Sequence, residues 1–369
     1  MKLMVWGNNY YNQLGLDLGS YPPPIQNISQ NPSGDEWIFA SSGAIQTFAI
    51  KNDGTLWACG YGAYGALGTG DGISHNSLVP VGTDTDWAKV FGSYNRGFAL
   101  KTDGTLWSWG DASSYSALGL GDNVDKWSPT QVGTSDLWID IACGNSHTLG
   151  LMSNGTVWGW GYNSKYQLGL NDTTSRLVPT QITSFSSALK ISAGMNHSLV
   201  VTDDGKLYGF GSNLKNQLGS SVVGYSKVPT QIGTDIDWLD AKGGYEHSIA
   251  IKTNGSIHGS GSDIGTGSAS SVFIQIGTRT DWAKIFCGFS NGGNTTFVID
   301  NNGMLYGFGD NDDYELNTGD TVYVLSPTII GPSFSNWSLI SEGNGGVVAL
   351  LNLENDFWKN FHSQTEIHI

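Results

Sequence analysis

Short apolar stretches that end in glycine recur along the chain, and most of them carry an aromatic residue directly before that glycine. The seven copies are Leu3–Gly7, Leu56–Gly60, Leu106–Gly110, Val157–Gly161, Leu207–Gly211, Ile257–Gly261 and Leu305–Gly309. Their final glycines lie 53, 50, 51, 50, 50 and 48 residues apart. Short apolar runs bounded by glycine are typical of β-strands, and a constant period of this length indicates a repeat architecture.

A second apolar stretch keeps the same phase and leads into a further strand, such as Thr148–Leu151. Its copies begin at Trp37, Trp87, Trp138, Leu189, Trp238, Trp282 and Trp337. An Asp-Gly or Asn-Gly pair, such as Asp53-Gly54, then precedes the aromatic strand. These pairs favour type I′ turns, in which both central residues have positive φ. Each repeat is therefore predicted to contain a tight hairpin whose second strand is the aromatic one.

The two ends of the chain are out of phase with each other. The chain starts with the aromatic strand Leu3–Gly7 and finishes with the other half of a repeat, from Trp337 to Trp358. Pairing these two parts closes a ring and removes an exposed sheet edge. We therefore predict an all-β fold, a seven-bladed β-propeller with blades of four antiparallel strands, closed by the N-terminal strand and the C-terminal half-repeat. Residues 1–358 are expected to form this single domain, and residues 359–369 a C-terminal tail.

Composition supports this fold and excludes some functions. Glycine supplies 52 of 369 residues, and charged residues only 13%, against about 25% in typical proteins. With 17 basic and 32 acidic residues the formal net charge is −15, and the scattered Lys and Arg do not suit direct nucleic-acid binding. We see no apolar run of a signal peptide or a membrane span, so synthesis in a cytoplasm is expected. Cys59, Cys143 and Cys287 are expected to be free thiols.

One complete repeat, Trp138–Gly169, reads WIDIACGNSHTLGLMSNGTVWGWGYNSKYQLG and is followed by Pro179-Thr180-Gln181-Ile182. This repeat resembles that of the regulator of chromosome condensation family. The family pattern is approximately W-x-x-I-x-x-G-x-x-H-x-x-A-L-x-x-D-G-x-L-x-x-W-G-x-N-x-x-x-Q-L-G, and the resemblance extends from Leu3 to Trp358. The repeat around Ile257–Ile276 departs from it, with Ser260 in place of the aromatic residue and no Gln-Leu-Gly.

The resemblance implies a seven-bladed propeller that serves as a binding platform. Known activities in the family include nucleotide exchange on a small GTPase with chromatin binding, and inhibition of β-lactamases. Similar repeats occur in bacterial and bacteriophage proteins, some of them associated with virions, and this chain is interpreted as a member of that type. Fold alone does not decide among these activities.

Three histidines, His147, His197 and His247, occupy one repeat position, which the family pattern also marks as His. Because different blades hold them apart, we expect them to make hydrogen bonds within the propeller and not to form a metal site. The densest acidic cluster is Asp310-Asn311-Asp312-Asp313. It lacks the full pattern of a calcium loop, so a solvated turn and a bound cation both stay open.

Catalytic motifs are absent from the sequence. It contains no G-x-S-x-G, no H-E-x-x-H and no phosphate-binding glycine loop with its lysine. We also find no pair of nucleophile and base. The chain is therefore predicted not to be an enzyme, and to use no cofactor and no metal.

Tyrosines recur in the short loop that follows each aromatic strand. Loops at equivalent positions gather on one face of a propeller, and tyrosine is favoured at protein interfaces because it offers large area at low entropy cost. We predict a binding role for these residues, while packing against neighbouring blades stays open as the alternative. They are Tyr10, Tyr11, Tyr61, Tyr64, Tyr115, Tyr162, Tyr166 and Tyr314.

These observations lead to one main functional hypothesis and two alternatives. The main hypothesis is a non-enzymatic propeller that binds another protein, as a structural or attachment component of a phage virion or a similar assembly. One alternative is a regulator of a small GTPase or a protein inhibitor of an enzyme. The other is a carbohydrate-binding module that uses the tyrosine face.

Overall fold

The computed structural model describes residues 1–19, 23–32, 36–113, 118–288, 293–330 and 336–352. Within these residues lie 28 β-strands and one 3-10 turn at Ala63–Gly65. None of the described segments forms a helix long and apolar enough to cross a bilayer. The strands are β1 (Lys2–Gly7), β2 (Ile25–Gln30), β3 (Trp37–Ser42), β4 (Gln46–Lys51), β5 (Leu56–Gly60), β6 (His75–Pro80), β7 (Trp87–Ser93), β8 (Arg96–Lys101), β9 (Leu106–Gly110), β10 (Lys126–Gln131), β11 (Trp138–Cys143), β12 (His147–Met152), β13 (Val157–Gly161), β14 (Arg176–Ile182), β15 (Ala188–Ala193), β16 (His197–Thr202), β17 (Leu207–Asn213), β18 (Gly224–Gln231), β19 (Trp238–Gly243), β20 (His247–Lys252), β21 (Ile257–Gly261), β22 (Ser270–Gln275), β23 (Trp282–Cys287), β24 (Thr295–Asp300), β25 (Leu305–Gly309), β26 (Val324–Ile329), β27 (Trp337–Gly343) and β28 (Gly346–Leu351).

The strands form seven antiparallel four-stranded sheets, each of which is one blade of a propeller. Blades 1 to 6 take four consecutive strands each, starting with β3 to β6 and ending with β23 to β26. The first strand of each blade contacts its counterparts in the neighbouring blades and therefore lies innermost. The predicted all-β, seven-bladed propeller is confirmed.

Blade 7 closes the ring by combining both parts of the chain. Its strand order is β2, β1, β28 and β27, and β1 pairs with β28 from Lys2 opposite Leu351 to Gly7 opposite Gly346. The indole N–H of Trp6 donates to the carbonyl oxygen of Glu315 in blade 6 at 2.6 Å, which ties the closing blade to its neighbour. The predicted pairing of the N-terminal strand with the C-terminal half-repeat is therefore confirmed. Trp358 and the predicted tail of residues 359–369 lie outside the described residues.

Aromatic residues at the ends of the third strands fill the wedges between blades. Trp109 in blade 2 is fully buried and meets Phe48 of blade 1 edge to face, with ring centroids 5.5 Å apart. Trp160 in blade 3 makes the same contact with Phe98 of blade 2 at 6.2 Å. Such aromatic pairs bury large apolar areas, so they stabilise the contacts between these blades.

The hairpin between the second and third strands differs from its predicted form. Gly54 has a φ of 79°, but Asp53 does not have a positive φ, so the turn is not of type I′. Instead, the Gly54 N–H donates to the Lys51 carbonyl at 3.0 Å, and the Lys51 N–H donates to the Thr55 carbonyl at 3.0 Å. This is the three-residue loop that ends in a left-handed glycine. The Asp53 carboxylate accepts the Thr55 N–H at 3.0 Å, a local side-chain bond that stabilises this turn.

Candidate functional site

One end of the propeller, here called the loop face, carries the loops that follow the first and third strands of every blade, because consecutive strands are antiparallel. A cavity of about 540 Å³ opens at the centre of this face, where the inner strands end. Its lining includes Tyr94, Asn145, Met195, Tyr245 and Asn344, each from a loop between a first and a second strand. We call this cavity the channel mouth.

Buried Asn and Gln side chains hold the predicted tyrosine loops in place by accepting hydrogen bonds from the loop backbone. In blade 3, the buried Asn163 accepts the Leu168 N–H at 2.9 Å through its side-chain oxygen, and Gln167 accepts the Lys165 N–H at 2.9 Å. The residue before this glutamine, Tyr166, has a φ of 61°, which places it in the left-handed region that few side chains adopt. The same bonds recur at Asn9 and Gln13, at Asn213 and Gln217, and at Asn311 and Glu315.

Three of the predicted tyrosines come together where blade 7 meets blade 1. The ring of Tyr11 lies edge to face against Tyr10 at 5.0 Å and against Tyr61 at 5.7 Å. Tyr10 and Tyr11 are 50% and 39% exposed. Both line a second cavity of about 710 Å³ on the loop face, together with Tyr94. The sequence pattern thus identified a real surface cluster at this blade boundary.

The remaining predicted tyrosines do not join this cluster. Tyr166 lies 6.1 Å from the ring of Tyr225 in blade 4, with the Lys227 ammonium 5.5 Å above it, so the alternative of packing on the next blade holds for Tyr166. Tyr64 is 51% exposed and has a φ of 60°. Tyr162 and Tyr314 are half-buried. Tyr115 lies outside the described residues.

Sequence reasoning missed Tyr94, which lines both cavities and is 58% exposed. It lies in the turn between β7 and β8, not in the loop after the third strand. Its carbonyl oxygen accepts the Ala44 N–H of blade 1 at 3.1 Å, which fixes the turn against the neighbouring blade. The available signal was the local departure from the repeat, since Ser93–Arg96 reads SYNR where the next blade has GNSH.

The repeated histidines connect consecutive blades. The Nε2 atoms of His147 and His197 lie 3.0 and 2.9 Å from the hydroxyl oxygens of Ser198 and Ser248 in the next blades. Ser198 donates its own proton to the Gln167 carbonyl at 2.7 Å, so His147 donates to Ser198 from Nε2. Burial lowers the pKa of His147 and of His197 to about 3, so both rings are neutral near pH 7. The predicted hydrogen-bonding role is confirmed.

His247 makes the same connection from blade 5 to blade 6. Its Nε2 lies 2.8 Å from the Thr296 hydroxyl, and its Nδ1 lies 2.7 Å from the Asn294 side-chain oxygen. Burial lowers its pKa to about 4. In the part of the chain that the structure describes, no group of three or more His, Cys, Asp or Glu side chains converges as a metal site would.

In the acidic turn at residues 310–313, the carboxylates of Asp310 and Asp313 accept hydrogen bonds from neighbouring protein groups. Asp310 accepts the Asn311 N–H at 2.9 Å, and Asp313 accepts the Asn8 side-chain amide of blade 7 at 3.0 Å. Asp312 is exposed. Among the described residues, this turn belongs to no group of three or more His, Cys, Asp or Glu side chains that could hold a metal ion.

Two buried acids lie between blades 6 and 7. Glu315 takes the repeat position of glutamine, and its carboxylate accepts the Asp313 N–H at 2.8 Å. Burial and the neighbouring Glu342 raise the pKa of Glu315 to about 8. Glu342 is itself buried, lines the channel mouth and accepts the Gly345 N–H at 2.8 Å.

The cysteines are free thiols, as expected. Burial raises the pKa of Cys59, Cys143 and Cys287 to about 12 in each case. The three thiols are therefore protonated near pH 7.

Comparison with known families gives the same fold as the strand pattern. A family model described as an RCC1-like domain matches residues 2–351. The chain belongs to the RCC1-like domain family. Its seven blades, the buried repeat histidines and the Asn-x-x-x-Gln-Leu-Gly loops are thus features of an RCC1-like propeller.

Two curated relatives match part of the RCC1-like propeller. The chain is similar to the ultraviolet-B receptor UVR8 of Arabidopsis thaliana, with 27% identity over 168 residues, 44% of this chain and 37% of that protein. It is also similar to the regulator of chromosome condensation of Mus musculus, with 27% identity over 160 residues, 40% of this chain and 37% of that protein. The chain therefore spans well under half the length of these two relatives.

A solved structure shows the same RCC1-like fold over nearly the whole chain. Prp20p of Saccharomyces cerevisiae superposes with a TM-score of 0.84 and 18% identity, covering 99% of this chain and 95% of Prp20p. That structure is described together with the binding of Prp20p to Gsp1p and histones. At this level of identity the similarity shows the fold alone.

Proposed function

We propose that this chain is a non-catalytic, protein-binding RCC1-like propeller that receives a segment of another protein on its loop face. The observation that supports it is the position of Tyr94. This exposed residue lines both the channel mouth and the second cavity, so the two cavities adjoin each other on the loop face. Exposed tyrosines around a depression are typical of protein-binding surfaces.

The neighbouring residues support a preformed site. Ala44, Asn95 and Asn344 line both cavities as well, and the Asn95 side-chain oxygen accepts the Gln46 amide of blade 1 at 3.2 Å. Because blades 1, 2 and 7 all contribute, the two cavities are held by rigid strands and short turns. A preformed site loses little conformational entropy when it binds a partner.

Site-specific photo-crosslinking tests this proposal. A photoreactive phenylalanine analogue is placed at position 94, and in a control protein at position 236. Ile236 is a matched control because it is 65% exposed but follows a fourth strand, on the opposite face. We expect a defined partner to be crosslinked in the native extract from position 94 and not from position 236, and Tyr94→Ala to weaken capture of that partner at least tenfold. Equal crosslinking from both positions, or none, would refute the proposal.

A second candidate is regulation of a small GTPase. It is favoured by membership of the RCC1-like family and by the described binding of Prp20p to Gsp1p. Release of a fluorescent guanine nucleotide from small GTPases of the source organism tests it. Acceleration that is lost in Tyr94→Ala would identify the crosslinked partner as a GTPase, whereas an unchanged release rate would exclude exchange activity on the GTPases tested.

The more specific expectation of a phage or particle component gains no support from these relatives, which are eukaryotic proteins. It stays a prediction, and so does inhibition of an enzyme or binding of carbohydrate. Sedimentation of native source material, with the protein followed by mass spectrometry, tests the particle role. Migration with a large particle in fixed stoichiometry would support it, and migration near 39.4 kDa would refute it.

A further inference from the structure

One residue at the channel mouth departs in charge from all its repeat equivalents. Arg96 starts the second strand of blade 2, at the position of the repeat histidines. The other six blades have neutral groups there, of which the histidines bond to a hydroxyl of the next blade. The equivalents are Gln46, His147, His197, His247, Thr295 and Gly346.

The guanidinium of Arg96 is buried, and none of the described residues gives it a carboxylate partner. The side chain is 3% exposed, and its Nη2 donates to the Ser93 hydroxyl at 3.2 Å and to the Asn145 carbonyl. Its Nη1 is buried with no hydrogen-bond partner among the described residues. The two other arginines of the chain, Arg176 and Arg279, both form ion pairs with aspartates. A buried charge is costly unless it is paired, so the most buried arginine is the one whose charge is not compensated.

The described residues around Arg96 do not supply the missing charge. The nearby Cys143 thiol stays protonated, because burial raises its pKa to about 12. Asp111 attracts Arg96 through space, but it forms no ion pair with Arg96, and its carboxylate accepts the N–H and hydroxyl of Ser113. An arginine keeps its charge in proteins, so the site favours an anion from outside.

We infer that Arg96 is the anchor for a carboxylate that a partner segment inserts into the channel mouth. This inference rests on the proposed function and names the chemistry that the site would recognise. The cavity of about 540 Å³ holds a short segment of chain, with Tyr94, Met195 and Tyr245 available to pack against its apolar parts. The Nη1 group, which has no hydrogen-bond partner among the described residues, can donate to an oxygen of such a carboxylate.

A singly charged carboxylate suits this site better than a phosphate group does. Asp111 and Glu342 also line the channel mouth, and both repel a dianion more strongly than a monoanion. The carboxylate has two sources in a partner protein, an acidic side chain or the C-terminus of the chain. Both present the same group to Arg96, so the experiment separates them.

The local sequence determines which variant tests the charge alone. In blades 3 to 5 the residue three positions before the histidine is glycine, and a Cβ on Gly144 or Gly194 would collide with the ring of His147 or His197. Blade 2 has Ser93 at that position. Ser93→Gly combined with Arg96→His therefore restores the repeat without a clash, while Ser93→Gly alone keeps the arginine and serves as the matched control. Arg96→Met is a second neutral variant that keeps side-chain length.

Side-chain NMR measures binding at the arginine directly. The chain has only three arginines, so the Nε–H signal of Arg96 is assigned by its loss in the double variant, and those of Arg176 and Arg279 are internal controls. The probes are a capped Gly-Gly-Asp-Gly-Gly amide, its Asn counterpart, a pentaglycine with a free C-terminal acid, and inorganic phosphate. We expect the Asp peptide or the free-acid peptide to shift the Arg96 signal alone. We expect it to bind at least tenfold more weakly to the double variant than to Ser93→Gly, and at least tenfold more weakly to Arg96→Met than to the unmodified protein.

Each outcome decides the inference. A response to the Asp peptide assigns an acidic side chain, and a response to the free-acid pentaglycine assigns a C-terminus. An equal response to the Asn peptide, tighter binding of phosphate, or no shift of the Arg96 signal overturns the inference. The proposed function is tested separately, because a partner that crosslinks from position 94 and binds the neutral Arg96 variants unchanged would leave the loop face established and the carboxylate anchor refuted.

Discussion

Blade 6 contains an ion pair whose charges are reversed relative to blade 2. In blade 2, Lys101 at the end of the second strand bonds to Asp84 at 2.7 Å and to Asp86 at 3.1 Å in the loop that precedes the blade. In blade 6, Asp300 occupies the position of the lysine, and Arg279 occupies that of Asp84. The Arg279 Nη2 donates to the Asp300 carboxylate at 2.8 Å. The pairing is retained although both signs are exchanged.

The two pairs differ in burial, and therefore in the effect of removing one partner. Asp300 is 3% exposed and also accepts the N–H groups of Asn302 and Met304 at 2.9 and 3.0 Å. Breaking a buried, hydrogen-bonded pair costs about 3–5 kcal/mol, but Arg279 keeps Asp281 as a partner. We therefore expect Asp300→Ala to lower the free energy of unfolding by about 2–4 kcal/mol.

Asp84→Ala is the matched control at the equivalent pair. Its side chain is 49% exposed, and Lys101 keeps Asp86, so we expect a loss below about 1 kcal/mol. Charge exchange gives a stricter test. Asp300→Lys alone places a lysine beside Arg279 and should destabilise strongly, while addition of Arg279→Asp recreates the arrangement of blade 2 and should recover most of that loss.

Urea unfolding followed by tryptophan fluorescence measures all four variants. The free energies are comparable only if the slope with urea concentration is unchanged, which shows that the same cooperative unit unfolds. Equal losses for Asp300→Ala and Asp84→Ala would refute the argument from burial. If Asp300→Lys with Arg279→Asp is no more stable than Asp300→Lys alone, the interpretation that blades 2 and 6 contain the same ion pair with exchanged charges is refuted.

Three further predictions concern residues that fix the blades and loops. Tyr64 has a left-handed backbone and a half-exposed ring, so Tyr64→Asn should raise stability by about 0.5–1 kcal/mol, and an unchanged or lower melting temperature would contradict this. His197→Ala removes the bond to Ser248 and leaves a cavity, which should cost about 2–4 kcal/mol in urea unfolding, and His75→Ala, at a side chain that is 20% exposed, is the control with a smaller expected loss. The pKa of Glu315 is raised to about 8, so the folded state retains this proton and stability should fall as pH rises from about 4.3, the unfolded value, to about 8. Glu315→Gln should flatten that fall in melting temperature against pH, and a parallel profile would contradict it.

Most of the fold could be predicted because one repeat carries all of its local signals. The third strands of blades 1 to 3 begin and end at the predicted residues, Leu56–Gly60, Leu106–Gly110 and Val157–Gly161. The pairing of β1 with β28 could be predicted because the chain starts and ends with complementary halves of one repeat. The turn type was wrong because the pattern Asp-Gly does not distinguish two hairpin loops. The Asp53 side chain decides between them by its bond to the Thr55 N–H.

The site was less predictable because it depends on contacts between blades. Tyr10, Tyr11 and Tyr61 were named as members of a ring of equivalent loops, but only their position across the junction of blades 7 and 1 brings their rings together. Tyr166 has an equivalent loop and instead packs on Tyr225. A repeat pattern gives each loop the same backbone, whereas the residue on the next blade decides whether a side chain is covered.

Departures from the repeat separate into two kinds when their partners are considered. Ser260 lacks the wedge aromatic, but its hydroxyl donates to the Asn216 carbonyl at 2.6 Å, and Phe273 of the same blade packs against Trp238 at 5.6 Å.

Asp300, which stands where blade 2 has a lysine, likewise has an internal partner of opposite charge in Arg279. Arg96 is different, because it brings a charge into a buried position and the described residues offer no carboxylate in contact with it. A departure from the repeat whose new side chain finds a partner within the propeller is compensated by the fold itself. An unmatched charge beside an open cavity costs stability in the free protein, and such a cost is recovered only when a partner supplies the opposite charge.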